Sequence, residues 1–296
     1  MIRFGPAGTA DSFSAMGYRQ TAQVPAYLER FGLTAFEYQC GRGVRISTEK
    51  AAQLGRLCRE RDIALSVHAP YYISMSSLEE AKREGSIRYI LETARAAQDM
   101  GARRIVVHTG SCAKLSREEA LALAKDTMTK ALRAMDEAGY SQVHICPETM
   151  GKVNQLGTLE EVVELCTLDE RLIPCIDFGH LNARTFGGYR TKEDFARIFD
   201  LLENRLGRER ARCFHAHFSK IEYTPGGGEK RHLTFADTVY GPDFDPVAQL
   251  LVERGCCPTI ICESAGTQTE DAAAMKATAA ALGGQVEPSR EKEETK

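Results

Sequence analysis

Six apolar runs in this chain end in a side chain that can ligate a metal ion or carry a proton: His68, His108, Glu148, Asp177, His215 and Glu263. Each has a plain explanation when taken singly. A histidine at a strand end is more often a hydrogen-bonded structural residue than a ligand, and a carboxylate there can cap the helix that follows. Repetition argues otherwise, because the six close different runs at intervals of 40, 40, 29, 38 and 48 residues. Three imidazoles and three carboxylates meeting in one cavity would repel one another or stay unpaired without a cation. Mixed nitrogen and oxygen donors suit zinc, manganese or iron. A mononuclear site needs three or four protein ligands, and six are present before His180, His217 and His232 are counted. Two or three ions per chain are therefore expected, with the central Glu148 placed to bridge two of them. Paired ions of this kind hold a shared hydroxide and clamp the oxygens of a phosphoryl displacement. His144 opens an apolar run and does not end one, so it is read as structural.

The elements that must carry these residues alternate along the whole chain. Strands are expected at Ile2–Gly5, Ala35–Gln39, Ala64–Val67, Arg104–Val107, Val143–Pro147, Ile173–Ile176, Cys213–Phe218 and Thr259–Cys262. Helical apolar spacing falls between them, as in Ala51, Leu54, Leu57 and Cys58 of the segment Thr48–Arg61. Ser116 with Glu119 and Thr158 with Glu161 are capping-box patterns, and Asp245 is expected to cap a later helix. Eight strands alternating with helices, at about 37 residues per unit, define a single-domain (β/α)8 barrel over residues 1–284, in which all six groups face the C-terminal mouth. The segment Glu222–Gly241 reads as a long loop. The charged residues 285–296 read as a disordered tail.

The residues around these strand ends resemble the endonuclease IV family of apurinic/apyrimidinic endonucleases, within the xylose-isomerase-like barrels. The resemblance is carried by His68–Ala69–Pro70–Tyr71, Val107–His108–Thr109–Gly110–Ser111, Pro147–Glu148–Thr149, Cys175–Ile176–Asp177–Phe178–Gly179–His180–Leu181, His215 with Lys220 five residues on, and Ile261–Cys262–Glu263–Ser264. It implies a trinuclear zinc site that cleaves DNA 5′ to an abasic sugar by way of a zinc-bridged hydroxide. His68, His108 and Glu148 would hold one ion, and Glu148, Asp177, His215 and Glu263 a second. His180 and His232 would serve the third. Tyr71 and the neighbouring Tyr72 would enter the DNA, and Lys220 and Lys230 would meet its phosphates. One departure stands out: where the family places an Asp two residues before the second third-site histidine, this chain has Lys230. Either Glu229 takes over, or the third ion is weakly held, or Lys230 supplies the charge itself.

A second possibility keeps the barrel and changes the reaction. Single-metal sugar isomerases and epimerases resemble the Glu148, Asp177, His215, Glu263 half of the set and do not need both His68 and His108. The net charge of −3 gives no basic footprint for nonspecific nucleic-acid binding. No apolar run approaches the roughly 20 residues of a membrane span. Met1–Ile2–Arg3–Phe4–Gly5 enters a strand with no leader-like segment behind it, and the ten cysteines show no CxxC pair. A cytoplasmic, monomeric protein with reduced thiols is expected.

Overall fold

A computed structural model of the chain describes residues 1–288. Eight parallel strands form the barrel: β1 (Arg3–Pro6), β2 (Ala35–Gln39), β3 (Ala64–His68), β4 (Arg104–Val107), β5 (His144–Pro147), β6 (Cys175–Asp177), β7 (His215–Phe218) and, last in the chain, β10 (Thr259–Cys262). They pair as β1-β10-β7-β6 and β2-β3-β4-β5. The parallel bridges Ala7↔Glu37 and Glu148↔Cys175 join these two halves into a closed ring. The expected barrel is thus present, with strand ends within two residues of those anticipated. The helices also follow their start signals. Ser116 and Thr158 accept from the backbone of Glu119 and Glu161, each glutamate reaching back to complete a capping box. Asp245 differs: it is the first residue of its helix, and Phe244 precedes it without a side-chain cap.

Strand alternation sorts β7. Ala216 and Phe218 face outward into the apolar layer, where Phe218 packs edge-on against Phe244 at 5.1 Å. His215 and His217 therefore face into the barrel. The eight-strand ring leaves no edge for a loop to enter, so chemistry is confined to the rim.

Three expectations fail for tertiary reasons. The stretch read as a loop holds a hairpin, β8 (Ile221–Thr224) and β9 (Gly228–His232). It docks on the rim segment 150–155 through the bridge Lys152↔Gly228 and the bond from Glu229 N to Gly151 O. Gly228 sits at φ +76°, and a Cβ there would meet the Gly151 carbonyl oxygen at 2.3 Å, so this approach requires glycine. The cysteines are not all reduced thiols either: Cys213 and Cys257 form a disulfide, their Cα atoms 4.9 Å apart. Each stands two residues before one of two neighbouring strands, and pairing Thr259 with His215 brings them together across 44 residues of sequence. The other eight cysteines are free and buried. The boundary of the tail also shifts, since Val286 bridges Ile2 and Glu287 N donates to the Ile2 carbonyl. Residues 289–296 lie outside the described part of the chain. Among the described residues, no helix is long and apolar enough to cross a membrane.

The rim segment is clamped from beneath. Arg184 donates to the carbonyls of Met150, Lys152, Val153 and Gln155. Arg117 reaches Val153 and Gln155 and forks onto the buried Glu161 carboxylate at 2.7 Å through Nε and Nη2. Burial would raise the Glu161 pKa, but Arg117 and the Gly157 and Thr158 amides together hold it below the ordinary value of 4.5. Glu161→Gln is expected to lower stability by about 1–3 kcal/mol near pH 7. Because the folded-state pKa is depressed, this contribution is full above about pH 4.5 and is lost as pH falls through the lower folded value. Wild type and variant should therefore converge in denaturation midpoint toward acid; a constant difference between pH 7 and pH 3 would refute the assignment.

Candidate metal centre

The site is built from strand ends. Glu148 follows β5 directly and is buried, with its two oxygens turned to different partners. Oε2 lies 3.4 Å from His68 Nε2 and 3.1 Å from His108 Nε2, while Oε1 lies 3.0 Å from His217 Nδ1 and 3.5 Å from His180 Nδ1. Asp177 does two jobs. Its Oδ1 accepts from His180 N at 2.7 Å and caps the helix Phe178–Arg184. Its Oδ2 is buried without a hydrogen-bond partner, 3.2 Å from His180 Nδ1. Glu263 closes the far side, with Oε2 3.6 Å from His217 Nδ1.

Backbone carbonyls orient two of the rings. A carbonyl can only accept, so the 2.8 Å contact between His68 Nδ1 and Ala69 O makes Nδ1 the donor. The Nε2 of His68 is thereby left to face Glu148. His180 Nδ1 likewise donates to Thr149 O at 2.9 Å, which turns Nε2 toward Glu229.

His215, expected among the ligands, lies one layer lower. In the strand register His217 is level with Asp177, whereas His215 is level with Cys175. The ring of His215 is fully buried against Glu37, with Nε2 to Oε2 at 2.9 Å. Both histidines face inward, but β7 runs on to Phe218, so the later one reaches the mouth. His217 takes the position anticipated for His215.

The departure at Lys230 also resolves. Across the hairpin Glu222 pairs with Arg231 and Tyr223 with Glu229, which leaves Lys230 as the extra residue of a β-bulge. A bulge inverts the alternation, so Glu229 and His232 both point at His180 although three positions separate them. Glu229 Oε2 lies 3.5 Å from His180 Nε2, and Oε1 lies 4.0 Å from His232 Nε2. Lys230 itself is exposed and pairs with Glu222, away from the centre. Lys220 is also directed elsewhere: it donates to the Asp237 carbonyl at 2.7 Å and pairs with Asp243, beside a separate cavity of about 630 Å3. Neither lysine lines the cavity of about 390 Å3 above the histidines. Tyr71 does, half exposed at the rim with Lys152 and Gln155 across from it. Tyr72 stands beside Tyr71, ring centroids 4.6 Å apart, and faces Tyr89.

Three groups of donors emerge at the mouth, each with one ligand atom per residue within 4.8 Å of the others: His68, Glu148 and His217; Glu148, Asp177, His217 and Glu263; and His180, Glu229 and His232; a fourth, Cys175, His215 and His217, lies one layer lower. Their electrostatics match this clustering. Burial opposes the charge on Glu148, yet the surrounding histidines hold its pKa well below the usual range. Asp177, shielded from solvent and beside Glu263 and Glu148, is pushed up to about 6 despite His180. Burial would lower His68, but Glu148, Glu37 and Glu263 raise it to about 9. Burial opposes the charge on His180 and His217 too, but Asp177, Glu148 and Glu229 raise the first and Cys175 with Glu37, Glu263 and Glu148 the second, both well above 6.5. An unpartnered Asp177 oxygen and imidazoles turned toward carboxylates are what a divalent cation would use, and the donor set fits zinc, manganese or iron.

The chain belongs to the xylose isomerase-like TIM barrel family, whose model matches residues 25–282. An uncharacterized protein of Methanocaldococcus jannaschii is 34% identical over 268 residues, covering 89% of this chain and 92% of that protein. A probable endonuclease 4 of Mycoplasma pneumoniae is 29% identical over 195 residues, 63% of each chain. Among solved structures, endonuclease IV from Thermus thermophilus superposes with a TM-score of 0.65 at 20% identity, covering 88% of this chain and 93% of the other. A D-tagatose 3-epimerase-like protein gives 0.66 at 21% identity, over 85% and 90%. At these identities the superpositions establish a shared fold.

Two outcomes are expected. His217→Ala should lower the metal content of purified protein by about one equivalent, whereas His215→Ala should keep the metal and lose thermal stability; the reverse pattern in elemental analysis would restore His215 as a ligand. Imidazoles with raised pKa values are protonated near neutrality, and ligation requires them neutral. Zinc binding near pH 7 should therefore release protons, and affinity should rise with pH up to about 9, where His68 deprotonates unaided. Calorimetry in buffers of different ionisation enthalpy measures this, and an enthalpy independent of buffer would contradict it.

Proposed function

We propose that this protein is a metal-dependent phosphodiesterase that cleaves DNA at abasic sites, using two or three divalent cations, zinc foremost and manganese or iron as alternatives. The supporting observation is the surplus of ligands. His68 and His108 flank one oxygen of Glu148, Asp177, His217 and Glu263 gather beside the other, and His180, Glu229 and His232 form a further group. An enzyme working with one ion has no need of the first and third groups. The probable endonuclease 4 relatives point to the same chemistry.

The first two groups would each hold an ion through the shared Glu148, and the third would be held with Glu229 in the position the Lys230 bulge gives it. When bound, such ions supply Lewis-acid charge to phosphoryl oxygens and lower the pKa of water to about 7. Glu148 stays ionised between its histidines, so its oxygens can accept hydrogen bonds from an attacking water and fix its direction. Asp177 is anchored through Oδ1 and presents Oδ2 without rotational freedom. Tyr71 offers an aromatic face at the rim to an unstacked nucleotide, and Lys152 and Gln155 are within reach of its phosphates. A chain that carries the whole donor set needs no second copy, and a cytoplasmic monomer is the reading we propose.

The runner-up is a single-metal sugar epimerase, favoured by the compact quartet Glu148, Asp177, His217 and Glu263. Metal stoichiometry and substrate separate the two. Metal-loaded protein should nick an abasic-site duplex in a chelator-sensitive manner and carry two or three ions per chain, and Glu148→Gln should reduce nicking by about 10³-fold. One ion per chain, with ketose epimerisation and no nick, would select the epimerase.

A further inference from the structure

Beneath the ligand layer lies a charge that the proposed chemistry does not use. Glu37 stands in the middle of β2, fully buried and flanked by Ala35, Phe36 and Tyr38. Its Oε2 accepts from Ser66 Oγ at 2.8 Å and lies 2.9 Å from His215 Nε2. Its Oε1 accepts from Gln39 Nε2 at 3.2 Å and lies 3.0 Å from His217 Nε2. The His217 ring thus sits between two carboxylate sets, with Nε2 toward Glu37 below and Nδ1 toward Glu148 and Glu263 above.

We infer that Glu37 is a positioning residue that keeps the Nε2 proton of His217 pointed down the barrel, so that Nδ1 is the ligating atom and the ion is held tightly. An imidazole has one proton and one lone pair when neutral, and a carboxylate can only accept. In the chain as it stands Nδ1 is the hydrogen-bonded nitrogen, 3.0 Å from Glu148 Oε1, while Nε2 lies 3.0 Å from Glu37 Oε1 without a hydrogen bond. An ion that takes the Nδ1 lone pair requires the ring proton on Nε2, where Glu37 is the acceptor at hand. A carboxylate behind a ligating histidine also makes the ring more basic and a stronger donor. Ser66 and Gln39 hold one Glu37 oxygen each, so the carboxylate cannot swing away from the His217 ring above it.

This inference rests on the metal centre proposed above, and the experiment separates the two. Zinc affinity and stoichiometry are measured on the full chain by competition with a chromophoric chelator, for wild type and for Glu37→Gln, alongside the melting temperature of each in chelator. Glu37→Gln should bind zinc about 10–100-fold more weakly, with a chelator-state melting temperature near that of wild type. Zinc affinity unchanged in Glu37→Gln would overturn the role of Glu37, whereas a wild type that binds no zinc would overturn it together with the metal centre. Should Glu37→Gln not fold, the wild type still decides. Long-range proton–nitrogen correlation spectra of the zinc-loaded protein should show His217 protonated on Nε2 and ligated through Nδ1, and ligation through Nε2 would refute the inference.

Discussion

Carboxylates sealed from water at the end of a barrel cannot stay ionised close together unless positive charge is interleaved with them, and this constraint organises the molecule. Glu148 is the centre of it, with four imidazoles within 3.5 Å of its two oxygens. The cost of leaving any of these groups unpaired in a low-dielectric interior is large. Glu37 extends the pattern downward, so charge and counter-charge alternate from the mouth into the core. Divalent cations satisfy the same condition more strongly than protons do, and this links the fold to the proposed chemistry.

The scaffold supplies precision by packing each ligand layer against rigid surroundings. Strand register puts His217 beside Asp177, and the outward Ala216 and Phe218 hold the strand against the aromatic layer. The rim segment 150–155 is fixed by two arginines that take up its carbonyls. The hairpin with Glu229 and His232 leans on that segment. The third donor group is therefore tied to Arg117 and Glu161, far away in sequence. The geometry of such a site depends on support of this kind as much as on the ligands themselves.

The two candidate reactions share most of this framework. Both suit the quartet around Asp177, and proteins named for each, an endonuclease IV and a D-psicose 3-epimerase, share this fold. They differ in what surrounds the quartet. The presence of His68, His108 and the His180, Glu229, His232 group is a property of this chain's side chains and not of its topology, which is why function is argued from the site and fold from the strands.

The amino-acid order alone determined the barrel and most of the centre. Apolar runs and the repeated ligand type at run ends are local signals, and they marked His68, His108, Glu148, Asp177 and Glu263, while the family resemblance added His180 and His232 as a further pair. Glu37 left a signal too, a charge inside an apolar strand, but its meaning depends on the neighbours of β2 in space. Three features needed the tertiary structure. Choosing between His215 and His217 required the register of β7 against β6, because both face inward and differ only in height. Glu229 required the bulge at Lys230, since a strand without one would turn Glu229 and His232 to opposite faces. The disulfide required strand adjacency, which brings together residues that linear spacing keeps apart. In each case the deciding quantity is a pairing between distant segments, and no local pattern encodes it.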